Sequence, residues 1–164
     1  MKLVRLAAVT LMSLTALSTA RAQQDTVLSK AAQTGQQGED EKVVRQRVID
    51  FVAQQYGNGT PVAAAALTYA RAAGELWLAT ARSQRFDPGM TERAGISEIC
   101  FRGQLAAAGV SAPDAAVADL ERVIASTQAM YAGAAYATVL AMQHPRDLAM
   151  TATQACRQSN VPLP

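Results

Sequence analysis

The chain has 164 residues, a formal net charge of +2 and an apolar share of 50%, but only 5% aromatic residues. That length gives room for one domain with a genuine core. Much of the apolar share is alanine, which loses no side-chain entropy in a helix, while the β-branched and aromatic runs that strands need are scarce. Sheet is therefore excluded and an all-α fold predicted.

Residues 1–22 have the three parts of a secretory signal. Lys2 and Arg5 make a positive start, Leu6 to Leu17 an apolar stretch, and Ala20-Arg21-Ala22 a small-x-small cleavage site, so that the mature chain begins at Gln23. The apolar stretch is short of the roughly 20 residues that span a bilayer. The absence of a cysteine at the new N-terminus argues against a lipid anchor. Alanine and arginine usage points to a bacterium, hence to the periplasm or beyond. Removing Lys2, Arg5 and Arg21 from the 15 basic residues leaves 12 against 13 acidic ones, a net charge of −1. A near-neutral chain without a basic run has no electrostatic footprint for nucleic acid.

Residues 23–38, rich in Gln, Gly, Ser and Thr, carry no apolar period and read as a flexible mature N-terminus. A bundle domain is expected over residues 39–158. Its first helix starts near Glu39, where Glu39, Asp40 and Glu41 suit the positive end of the helix dipole. Val44, Val48, Phe51, Val52 and Tyr56 share its inner face, and Gly57-Asn58-Gly59 stops it. The Asn58-Gly59-Thr60 triplet fits a glycosylation acceptor, but a helix-breaking turn explains it better.

The second helix opens with Thr60 as N-cap and Pro61 in the first turn and runs to Ser83 or Gln84. Ala66, Ala70, Ala73 and Trp77 line one face, beside Leu67, Gly74 and Ala81, and Trp77 is expected to be buried. Arg82, Arg85, Asp87, Pro88 and Gly89 read as a loop with a Pro-Gly turn, after which a third helix, capped by Thr91 or else by Asp87, reaches Ala108 and stops at Gly109. Ile96, Ile99, Cys100, Gly103 and Ala107 face inward, and Glu98 with Arg102 forms an i,i+4 pair outside.

The fourth helix is predicted from Asp114 to Gln143, with Ser111 and Asp114 as a capping box and with a bend allowed at Ser126, Thr127 and Gln128. Val117, Leu120, Ile124, Thr127, Tyr131, Ala135, Val139 and Met142 recur at helical spacing, which makes it the central strut of the bundle. His144-Pro145 ends it. The fifth helix then takes Pro145 as its first residue and presents Leu148, Ala152, Ala155 and Cys156. Residues 159–164 are a short tail.

Val123–Gln143 contains no charged residue and is long enough to span a bilayer. Ser126, Thr127, Gln128, Thr138 and the weight of alanine oppose lipid burial, and a span would part Cys156 from Cys100. No stable membrane span is expected after signal cleavage. The two cysteines of an exported chain are expected to pair, Cys100 with Cys156, stapling the third helix to the fifth. A redox role would want a Cys-x-x-Cys motif, and zinc would want more ligands. His144 is the only histidine. Met142, His144 and Met150 offer copper or haem too few donors, since helical spacing places both methionines in the core.

No Gly-x-Ser-x-Gly elbow accompanies His144; Glu75 and Glu98 are candidates to face a groove, but a solvated face is the default for such charges, so no catalytic residue, metal or cofactor is assigned. The function expected is that of an exported helical binding protein: an adaptor, a secretion accessory or an inhibitor guarding against a toxin, with another protein as partner. Two alternatives stand beside it. One is a periplasmic chaperone that exposes apolar helix faces under stress. The other is a bundle that binds a ligand in its Ala- and Gly-lined interhelical space.

Overall fold

The computed structural model describes residues 37–145 and 148–163. The expected signal, its cleavage point between Ala22 and Gln23, and the polar segment as far as residue 36 lie outside the described residues. Among the described residues there are six helices and no strand: α1 (Gln37–Tyr56), α2 (Pro61–Ser83), α3 (Pro88–Ala107), α4 (Pro113–Ile124), α5 (Gln128–Gln143) and α6 (Ala152–Gln158). The all-α fold and the helix-to-helix disulfide are as expected, but there are six helices where five were read.

Local chemistry sets the boundaries. At the start of α2, Thr60 Oγ1 accepts a hydrogen bond from the Ala63 N–H at 3.1 Å, and Pro61 occupies the first turn. Gln84 closes the helix in the left-handed region, at φ 51°. Of the two candidates before α3, Asp87 is the cap: its Oδ1 accepts from the Met90 N–H at 2.8 Å. Thr91 lies inside the helix and donates its hydroxyl back to the Asp87 carbonyl. α1 begins at Gln37, ahead of the expected Glu39.

The predicted Asp114–Gln143 helix is two helices. α4 ends at Ile124, and Thr127 caps α5 by accepting from the Met130 N–H at 3.3 Å. Hydroxyl side chains offer the backbone such alternatives to continued helix, and the Ser126-Thr127 pair supplies two. Ser126 Oγ also accepts from Arg47 of α1 at 3.3 Å, which fixes the connection. The Ser111–Asp114 capping box does not form. Ala112 holds the cap position without a side-chain bond, and Pro113, whose φ is already set for helix, starts α4. Likewise α6 starts at Ala152 and not at Pro145. Thr151 and Gln154 make a complete capping box there, with Thr151 Oγ1 accepting from the Gln154 N–H and Gln154 Oε1 accepting from the Thr151 N–H.

The centre of the bundle is α2, not the helix assigned that place from the sequence. α3, α4 and α5 all pack on α2, and α3 also carries α6. Phe101, Leu105, Leu120, Ile124 and Val52 are fully enclosed, and Trp77 is buried as expected. Cys100 and Cys156 form the disulfide between α3 and α6, with Cα atoms 4.7 Å apart. Gly103 lets Ala152 sit against the α3 backbone beside it. The tail is not loose: Val161 is buried, and Gln104 Nε2 donates to the Pro162 carbonyl at 3.1 Å.

Gly133 plays the same part for α5, since a Cβ there would run into the Trp77 carbonyl of α2. Only Met130 and Gly133 of α5 are buried. Tyr131, Val139 and Met142, expected in the core, are 69%, 52% and 76% exposed. Once the chain breaks at residues 125–127, α5 packs through Met130, Gly133 and the half-buried Ala134 and Ala137, and among the described residues nothing buries Tyr131, Val139 or Met142. No described helix is long and apolar enough to cross a membrane.

Candidate functional site

α3 and α5 both lie on α2 without closing over it, and the gap between them is a cleft of about 700 Å³. That is within the usual range for binding clefts. Its floor is Tyr69, Ala73 and Trp77 of α2. One wall is Ala94, Gly95 and Glu98 of α3; the other is Tyr131, Ala134, Ala135, Thr138 and Ala141 of α5. Ala118, Glu121 and Arg122 of α4 close one end. The depth follows from the side chains: alanine and glycine on facing helices leave room that leucine or phenylalanine would fill.

The two walls are held differently. Phe101 of α3 stacks on Tyr69 with ring centroids 6.1 Å apart and meets Tyr56 edge-on at 5.7 Å. The wall formed by α5 is set by the close seat of Gly133 on Trp77 and by Met130, whose methyl group approaches Gly74. At its far end the His144 ring stacks on Phe86, with centroids 4.4 Å apart.

The α4 end of the cleft is polar. The Tyr69 hydroxyl donates to Glu121 Oε1 at 2.5 Å. Burial pushes the phenol well above its ordinary value, and the hydrogen bond to Glu121 adds to this. Tyr69 therefore stays protonated and acts as a fixed donor. Glu98 Oε1 accepts from Arg102 Nε at 2.9 Å and Nη2 at 2.7 Å. Arg102 also pairs with Asp114, the residue expected in a capping box, and Arg122 pairs with Asp119 at 2.5 Å. Burial raises the Tyr56 phenol too, with the nearby Asp119 charge as the lesser cause.

A second hollow, of about 440 Å³, lies between α1 and α2. Val44, Val48, Ile49 and Leu67 give it an apolar lining, and Glu41, Arg45, Arg71 and Glu75 charge its rim. The two carboxylates singled out from the sequence are thus not brought together: Glu98 lines the large cleft and Glu75 the other hollow. Met142 and His144 are both exposed at the end of α5, so Met142 is not the core residue its spacing suggested. Among the described residues, no group of three or more His, Cys, Asp or Glu side chains could hold a metal ion.

Tyr69 and Glu121 are the site residues that sequence reading missed. Tyr69 shares the α2 face of Ala66, Ala73 and Trp77, a signal that was present. Glu121 sits one place after the enclosed Leu120, on the border of the apolar face of α4, where a solvated charge is the ordinary reading. Comparison with protein-family models, with curated proteins and with solved structures gives no match.

Proposed function

We propose that this chain is an exported, non-catalytic helical binding protein, and that the α3–α5 cleft receives a segment of another protein. One observation carries this above the others. α5 is uncharged over its whole length, meets the core through the buried Met130 and Gly133 and the half-buried Ala134 and Ala137, and leaves Tyr131, which lines the cleft, and Val139 and Met142 exposed. Contiguous exposed apolar surface of this kind marks a binding face, and a groove between two helices suits an incoming helix. Export is supported by the pattern of residues 1–22 and by the Cys100–Cys156 bond, since disulfides persist in oxidising compartments. The apolar face is on display in the folded state, which favours a dedicated partner over a chaperone that must be unmasked by stress.

Capture from an extract of exported proteins tests the proposal. Ala135→Trp would fill the cleft from a position that is exposed, so the helical circular dichroism and melting temperature should stay those of the parent. The partner recovered by the parent chain should be missing from the variant. Equal recovery by both would refute the cleft as the binding site.

A further inference from the structure

The cleft is apolar along most of its walls and carboxylate-rich at one end. Glu98, Glu121 and Arg122 line that end, and ion pairs join Glu98 and Asp114 to Arg102 and Asp119 to Arg122. Four carboxylates thus meet two guanidinium groups. Arg47, which reaches the α4–α5 connection through Ser126, still leaves one carboxylate in excess. The bonds of Glu98 to Arg102 and of Glu121 to Tyr69 all use Oε1, so the Oε2 atoms remain to accept from an incoming donor.

The exposed face of α5 from Tyr131 to Met142 runs about 16 Å at the helical rise, the length of three turns. We infer that the occupant of the cleft is an amphipathic helix of a partner protein, with a small apolar face and one lysine or arginine placed over Glu98 and Glu121. This rests on the protein-binding role proposed for the cleft. A second copy of the chain inserting α5 is the poorer fit, because that helix brings no charge to set against those carboxylates.

Three synthetic 16-residue helices test this on the full chain, identical in their alanine and leucine face except for one position carrying Lys, Gln or Glu. They contain no tryptophan, so Trp77, the single tryptophan of the chain and part of the cleft floor, reports binding by its fluorescence. The Lys peptide should bind about tenfold more tightly than the Gln peptide, as one charge-assisted hydrogen bond allows, and the Glu peptide should be the weakest. The preference should shrink with added salt. It should also fall in Glu121→Gln, which keeps an oxygen for the Tyr69 hydroxyl. Equal binding of all three would overturn the basic-residue inference and leave the groove standing. Binding of none would overturn the groove as well. A chain that is dimeric alone and becomes monomeric as peptide enters would make a second copy the occupant, and that too would overturn the inference.

Discussion

Tyr69 is the residue at which fold and site meet. Its ring stacks on Phe101 in the core, while its hydroxyl ends on Glu121 at the edge of the cleft. Removing that hydroxyl in Tyr69→Phe keeps the ring and deletes a bond to a charged acceptor. Such bonds contribute about 1.5–3 kcal/mol when fully buried. Glu121 is only partly buried and can regain water, so about 1 kcal/mol is expected from urea unfolding. The sign of the pH effect follows from the raised phenol. Its folded-state value lies above the unfolded value near 10, so the stabilisation is complete below about pH 10 and is lost as the pH rises beyond it. Stability should fall there by up to about 1.4 kcal/mol per pH unit from this residue alone, and Tyr69→Phe should lack that slope. An unchanged alkaline slope in the variant would remove Tyr69 from its cause.

At the scale of the element, α5 is the helix whose position makes the cleft, and Gly133 is what lets it sit where it does. Alanine at 133 would gain about 1 kcal/mol of helix propensity. Its Cβ would also press on the Trp77 carbonyl, a backbone atom that cannot rotate away. Overpacking costs about 1–3 kcal/mol, and a backbone obstacle belongs at the upper end. Gly133→Ala should therefore be destabilising by about 1–2 kcal/mol in thermal unfolding; a neutral or stabilising result would mean that α5 can lift from α2 freely. The same helix marks the limit of sequence reading. Thr60 with Pro61 made the start of α2 legible, and Gly109 the end of α3, whereas Pro88-Gly89, in the first turn of α3, carries the signal of a loop turn. The break after Ile124 was hidden because the apolar period carries on across it: Ile124, Thr127 and Tyr131 keep helical spacing although residues 125–127 are not helical. An alanine-rich helix without charge also has no polar side to tell inside from outside, so Val139 and Met142 read as core. The Ala- and Gly-lined space was legible as a place, and Glu98 as a candidate within it. Its polar end was not, because only the fold sets Tyr69 of α2 against Glu121 of α4.

For the whole molecule, the disulfide decides which parts stand alone. α6 has seven residues, too few to persist unaided, and is held by Cys156, by the seat of Ala152 on Gly103 and by the tail residue Val161. The bond closes a loop over a sequence separation of 56, worth on the order of 4 kcal/mol in the chain-entropy model. Cys100→Ala with Cys156→Ala should therefore lower stability by an amount of that order, read as a shift of the urea midpoint. Both cysteines are buried, so a thiol reductant can reach the bond only when α6 lifts away. The opening should take the tail with it, because Gln104 joins the Pro162 carbonyl to α3 on the same side as Cys156. α2, α3 and α5 meet through other contacts, Phe101 on Tyr69 and Gly133 on Trp77, neither of which involves α6. Hydrogen exchange on the reduced chain should accordingly show protection lost in α6 and residues 159–163 while α2 remains protected and the cleft still binds. Uniform loss across α2, α3 and α6 would show instead that the staple holds the cleft itself, and that binding and the oxidising compartment are coupled through one bond.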